Sequence, residues 1–262
     1  MKIQKINSMR NVLVLGLLLG FLSGCGANMA ASQGEGLAIC PAKKPVSKFV
    51  RSDIVYPVDA YDPWEGFNRN MYVFNYYFDK YLFLPVVGAY EWIMPDYIED
   101  RISGIFKNLG ELKNLANNLL QLKGRETAIT TGRIVVNSTV GLVGMYDPST
   151  ERGMSRQNED FGQTLGHYGV GAGPYLVLPV FGPSTLRDTS GLVIDTAVRT
   201  VLWNWALDDV DNKSTVRTAI DVTEAVDARH RTAFRYYQSG SPFEYDLIRM
   251  LYLEKRKMDI VK

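Results

Sequence analysis

The sequence predicts an all-α, mainly helical domain, and three observations predict it. Apolar side chains recur at helical spacing, Phe67, Met71, Phe74 and Phe78 in one stretch and Leu109, Leu112, Leu115, Leu119 and Leu122 in another. Two helix-start signals of one form, Asp62-Pro63-Trp64-Glu65 and Ser241-Pro242-Phe243-Glu244, offer a polar cap, a proline and a glutamate in order. No region carries several short alternating strands joined by paired turns.

Composition narrows the class. The 262 residues are 46% hydrophobic and 22% charged, which excludes wholesale disorder and collagen-like sequence. Twenty-nine basic against 28 acidic residues leave no charge excess for a nucleic-acid partner. The 15 tyrosines, 11 phenylalanines and 4 tryptophans are richer than usual, and rings with a dry body and a wet tip suit a membrane boundary.

Residues 1–24 read as a lipoprotein signal peptide. Lys2, Lys5 and Arg10 make a positive start, and residues 12–22 form an apolar run too short for an ordinary span. Leu22-Ser23-Gly24-Cys25 then resembles a lipobox, whose small residues admit a peptidase and whose thiol takes diacylglycerol. Gly26, where an acidic retention signal would be Asp, points to the outer membrane. Cys40 is left as a single spare thiol without an internal partner. Residues 25–58, rich in Ala, Gly, Ser, Lys and Pro, read as a lipidated flexible tether.

The folded part is expected from residue 59. A first helix follows Asp62, a second carries the leucine stripe with Gly124 placed to end it, and a third covers residues 125–139. A fourth is expected over 192–205. A longer one starts near Ser214 and is marked by Val216, Ile220, Thr223, Val226, Ala233 and Tyr237. A last one runs through Leu247, Met250 and Leu251. Residues 81–95 are apolar nearly all round, which fits either buried core or a segment lying in a membrane boundary. Residues 161–181 carry Gly162, Gly166, Gly169, Gly171 and Gly173 among aromatics, which implies tight turns or close approach of another chain or ligand.

Catalytic patterns are absent from the sequence. His167 and His230 are the two histidines, with no metal-ligand spacing and no cysteine pair. Gly182-Pro183-Ser184-Thr185-Leu186 lacks the closing glycine of a nucleophile elbow. Gly169-Val170-Gly171-Ala172-Gly173 lacks the Lys-Ser/Thr of a phosphate loop, and Asp188-Thr189-Ser190-Gly191 has one residue too many for an aspartic protease. Arg229-His230-Arg231 reads as the wet face of a helix. Arg187 is the nearest partner for a phosphate or for Asp188, the internal ion pair being favoured.

Asp62-Pro63-Trp64-Glu65-Gly66-Phe67-Asn68-Arg69 resembles the opening motif of the MlaA/VacJ lipoproteins, and residues 160–171, DFGQTLGHYGVG, match their Gly-rich segment. Gly173-Pro174-Tyr175, Leu178-Pro179 and Thr185-Leu186-Arg187-Asp188 continue it in register. The resemblance implies a ring-like helical domain over residues 59–253, with a short tail at 254–262. That domain would sit in the inner leaflet of the outer membrane beside a trimeric porin. It would pass phospholipid from the outer leaflet to a soluble periplasmic carrier of the MlaC kind and so keep the two leaflets asymmetric. No cofactor is implied beyond the acyl chains on Cys25, and no enzyme activity. Gly162, Gly166, Gly169, Gly171, Gly173 and Arg187 become candidate residues of the lipid path. The competing class is a lipid-anchored periplasmic hydrolase with His167 as its base.

Overall fold

Helix α1 (Glu65–Phe78) buries Asn68, Tyr72 and Asn75 and leaves Phe67 51% exposed. The computed structural model describes residues 62–262 except Pro242; the signal peptide, Cys25, the tether with Cys40 and the expected domain start at residue 59 lie outside the described residues. The expected apolar face of α1 is therefore only half-buried, with Met71, Phe74 and Phe78 intermediate and Met71 packed against the core cluster. Asp62 does not cap the helix either, since Trp64 holds the cap position without a side-chain bond. Instead Asp62 accepts from Asn68 Nδ2 at 2.7 Å and from Arg249 at 2.8 Å.

A wide π-helical turn (Asp79–Phe83) leads into α2 (Leu84–Ile93), with a proline in its first turn. Of the two readings of residues 81–95, buried core holds for Val87 alone, while Tyr81, Leu82, Val86, Trp92 and Ile93 are exposed. Helix α3 (Asp96–Leu120) reverses the expected faces outright. Leu109, Leu112, Leu119 and Leu122 are exposed, and Glu99, Ser103, Asn108, Glu111, Asn114, Asn117 and Asn118 are buried. The left-handed residue that ends α3 is Leu122 (φ 57°), with Lys123 N–H closing on Asn118 O at 3.0 Å; Gly124 opens the next helix instead of ending this one.

Helix α4 (Gly124–Thr139) returns antiparallel to α3 along polar rungs. Asn118 meets Thr130 at 3.2 Å, Glu111 meets Arg133 at 2.9 Å and Asn108 meets Ser138 at 3.0 Å. Short helices α5 (Pro148–Glu151) and α6 (Phe161–His167) follow, capped by Asp147 and Asp160. A hairpin then appears that the sequence reading did not include, β1 (Tyr175–Leu178) antiparallel to β2 (Gly182–Thr185), pairing Tyr175 with Thr185. Helix α7 (Leu186–Ala206) starts earlier than expected, at the Thr185 cap.

Helix α8 (Lys213–His230) stops short of Ala233 and Tyr237. Its stop has a cause: Arg229 reaches forward to donate to Thr232 O at 2.8 Å and Phe234 O at 3.1 Å while gripping Asp79 with two bonds. Arg229-His230-Arg231 is thus no simple wet face. His230 also sits 2.8 Å from Glu91 and 3.3 Å from Glu99, and Arg231 pairs with Asp227. Helix α9 (Glu244–Val261) runs past Leu253, so residues 254–261 are helix and not a separate tail.

Tyr72, Tyr175, Val177 and Tyr245 form the one apolar cluster among the buried described residues. Asn68 and Asn75 join it to the hairpin. Asn68 donates to Tyr175 O (3.0 Å) and accepts from Val177 N (2.8 Å); Asn75 donates to Leu178 O (2.9 Å) and accepts from Val180 N (2.7 Å). Seven helical residues rise about 10.5 Å and three strand residues about 10 Å, so this spacing makes α1 a surrogate strand on the free edge of β1.

Candidate functional site

The Gly-rich segment is built around a glycine-on-glycine crossing. A β-carbon on Gly191 of α7 would lie 2.3 Å from Gly162 N in α6, and one on Gly162 would lie 2.7 Å from Asp188 Oδ1. Only glycine at both positions lets the two backbones meet. Gly166 faces Ile260 and Arg187 just as closely. Gly169 (φ 85°) and Gly173 (φ 69°) take left-handed turns, whereas Gly169 and Gly171 have open space where a side chain would go.

Arg256 of α9 fastens the crossing. Its guanidinium donates to Asp160 at 2.7 and 2.9 Å and to Asp188 at 2.8 and 3.0 Å. Arg187 lies 2.9 Å from Asp188 and donates to Val170 O at 3.3 Å, so it has taken the internal ion pair. Tyr252 adds a bond to Asp188 at 2.9 Å. Burial would raise the Asp160 carboxyl, but the Arg256 bonds outweigh it and hold its pKa at about 2. Arg256 sits at the end of the chain, outside the residues singled out from the sequence; helical spacing from Tyr252 was the one signal that could have found it.

A depressed carboxylate stabilises the fold above its unfolded pKa near 4, and that contribution is lost as pH falls through about 2. Asp160 should supply on the order of 2 kcal/mol in this way. Arg256→Gln should flatten melting temperature against pH between pH 4 and about 2, relative to the parent chain in the same detergent. A variant with an unchanged slope would show that Arg256 does not set the Asp160 titration.

Around the crossing the surface is apolar. Tyr168, Val170, Phe181, Leu186 and Val193 are exposed, and Tyr168 reaches back to Leu120 O. His167 is exposed beside the Tyr168 ring and has no hydrogen-bond partner among the described residues. The opening motif lies elsewhere. Asp62, Asn68 and Arg69 tie α1 to the hairpin and to α9, with Arg69 3.0 Å from Asp246, 2.7 Å from Glu65 and over the Tyr245 ring. Pro63 and Gly66 are exposed at the start of α1. Among the described residues no His/Cys/Asp/Glu group could hold a metal.

A family model, MlaA lipoprotein, matches residues 60–259. The chain belongs to the MlaA lipoprotein family. The match extends through Arg256, which places the clamp within the family's domain. Similar MlaA proteins are the intermembrane phospholipid transport system lipoproteins of Haemophilus influenzae (35% identical over 55% of this chain and 59% of that one) and Escherichia coli (33%, over 58% and 66%). An uncharacterized protein of Rickettsia prowazekii is 35% identical over 59% of this chain and 61% of its own length. The matched region thus spans about three fifths of these curated relatives. A solved structure described as the structural basis for maintenance of bacterial outer membrane lipid asymmetry superposes with a TM-score of 0.60. It is 29% identical, covering 76% of this chain and 98% of that one. The all-helical expectation agrees with this MlaA fold, the hairpin being its small exception.

Proposed function

We propose that this MlaA-family chain is an outer-membrane lipoprotein, held by acyl chains on Cys25 and embedded by its apolar helix faces. It passes phospholipid between the outer leaflet and a soluble periplasmic carrier, beside a trimeric porin, and so maintains lipid asymmetry. The observation that carries the reading is the reversed burial of α3 and the outward apolar side chains of α7, with Phe67 of α1 beside them. Asn, Glu, Asp and Arg are paired inside while Phe67, Leu112, Leu119, Val193 and Val201 face out. Hydrocarbon is as apolar as leucine, so lipid removes the incentive to hide such faces and makes internal pairing of polar groups obligatory. Among the described residues no helix is long and apolar enough to cross a membrane, which fits embedding from one side.

The physical need is large. Carrying a diacyl lipid through water exposes about 30 methylenes at about 0.8 kcal/mol each, a barrier of ~24 kcal/mol. That allows roughly one event per day. A path with a polar lane for the head group and an apolar lane for the tails removes the barrier without chemistry. The hydrolase alternative would rest on His167, which has no hydrogen-bond partner among the described residues to orient it.

The test is complementation of a strain lacking the chain. The parent chain should restore a phospholipid-free cell surface and resistance to detergent plus chelator. Cys25→Ser should leave an unprocessed, mislocalised precursor and restore neither. A processed, outer-membrane-bound C25S protein would remove the lipid anchor from the account. A non-lipidated domain that stays monodisperse in plain buffer would remove the embedding.

A further inference from the structure

We propose that Arg101, Tyr97 and Tyr146, with the apolar loop at residues 140–145, form a distinct site for the phosphodiester head group of a membrane phospholipid. The proposal rests on the membrane reading above and names a second place on the domain where lipid is held.

Arg101 is a cation without a counter-charge. Arg133, Arg187, Arg229, Arg249 and Arg256 all meet carboxylates, whereas Arg101 forms no ion pair among the described residues. Its guanidinium lies over the Tyr97 ring at 4.7 Å and the Tyr146 ring at 4.3 Å. One N–H is used, donated to Met145 O at 2.9 Å, and the buried Nε has no partner. The Tyr97 and Tyr146 hydroxyls are 2.7 Å apart. Two hydroxyls sharing one bond leave one O–H proton to donate onward. Beyond these two bonds the group keeps spare donors, one of them buried, that have no acceptor among the described residues, and the guanidinium is flanked by two rings. A phosphodiester supplies the missing acceptors and the missing charge.

The adjoining loop supplies the rest of the ligand. Leu142 (φ 51°), Val143 (φ 63°) and Gly144 (φ 97°) are left-handed in succession, an outlier for the β-branched Val143. The surroundings enforce it. The Gly144 carbonyl oxygen lies 2.3 Å from where a β-carbon on Gly104 would be, and Asn108 donates to Val143 O at 3.3 Å. The strained turn leaves Val140, Leu142, Val143 and Met145 exposed, with Trp92 (87% exposed) and Ile93 likewise exposed on α2. An anion on Arg101 whose tail is apolar satisfies both halves; a free phosphate would use only one.

The experiment uses the full lipidated chain in detergent and a phosphatidylglycerol probe carrying a photoactivatable head group. Label should appear on peptides containing residues 97–101 and 142–146. It should fall about tenfold in Arg101→Gln, with an intermediate loss in Arg101→Lys. Unlabelled phosphatidylglycerol should compete, while diacylglycerol and millimolar inorganic phosphate should not. Tyr97→Phe with Tyr146→Phe keeps both rings and the cation, so it reads the donors alone should R101Q lose its fold. A severalfold fall is expected there, and unchanged labelling overturns the site. Competition by inorganic phosphate would make it a free-anion site, and equal competition by diacylglycerol would remove phosphate recognition; either overturns the proposal. Label only on other peptides would refute this site and leave phospholipid handling standing. No label anywhere would count against the transport reading itself.

Discussion

Arg133→Ala is expected to destabilise the domain by about 3–5 kcal/mol, because it strips the counter-charge from a buried carboxylate. The Arg133 side chain is 3% exposed and donates to Glu111 at 2.9 Å, Asp147 at 3.0 Å, Thr150 at 2.9 Å and Met154 O at 2.6 Å. Glu111 is fully buried and would keep only Asn114 at 2.9 Å and Arg156 at 3.4 Å. On the other side, the half-exposed Asp147, whose pKa is lowered to about 2 by bonds from Thr150, Arg133 and Asn137, would lose one of its three side-chain donors. Arg133→Met combined with Glu111→Leu removes both charges and should recover much of the loss, since an unpaired buried ion costs more than an apolar pair of similar volume. Denaturant titration in detergent, followed by circular dichroism, gives the cycle. If R133A stays within about 1 kcal/mol of the parent, the rung between α3 and α4 is not a stabilising contact and the reversed core needs another explanation.

How much of this was legible in the sequence depends on which link is asked about. Helix existence was legible, because Phe67-Met71-Phe74-Phe78 and the leucine stripe are helical whichever way they point. The side that is buried was not. Asn108, Glu111, Asn114 and Asn118 recur at the same period one residue ahead of the leucines, about 100° round the helix, so the sequence carries two adjoining stripes and no local rule ranks them. Water ranks them one way and hydrocarbon the other, and the choice belongs to the environment. The hairpin was missed for a related reason: Tyr175-Leu176-Val177-Leu178 is four residues, and its outer edge is completed by Asn68 and Asn75, about a hundred residues away. Gly124 was misplaced because Leu122 accepts the left-handed position that glycine usually takes. At the candidate site the glycines were legible as positions of tight turn or close approach, and the structure divides them: Gly162 and Gly166 are closely approached, while Gly169 and Gly173 take left-handed turns. Their partners were not, since Gly191 and Arg256 come together only through the crossing of α6, α7 and α9.

The glycines of the crossing and of the loop beside it should therefore split into two classes of position. Gly191→Val should cost about 3 kcal/mol or more, since even its β-carbon would sit 2.3 Å from Gly162 N and 2.8 Å from Gly162 Cα, and backbone cannot rotate away as a side chain can. Parting α6 from α7 also pulls Asp160 and Asp188 off Arg256, so the protein should be depleted from the membrane fraction. Gly171→Leu is the opposite case. Nothing lies within 4 Å of its added β-carbon, so its stability should change by less than about 0.5 kcal/mol. Gly169→Leu has the same space but must hold φ 85°, at a cost of about 1 kcal/mol. If the loop shapes the lipid path, G171L should reach the membrane at normal level and still let phospholipid accumulate on the cell surface. His167→Ala removes a side chain with no hydrogen bond to lose among the described residues and should leave lipid asymmetry close to that of the parent. Surface phospholipid and membrane-fraction abundance, measured on the same cells, keep folding and function apart. A silent G171L beside an inactive, well-folded H167A would reverse the assignment, because only a reactive imidazole would then explain the loss.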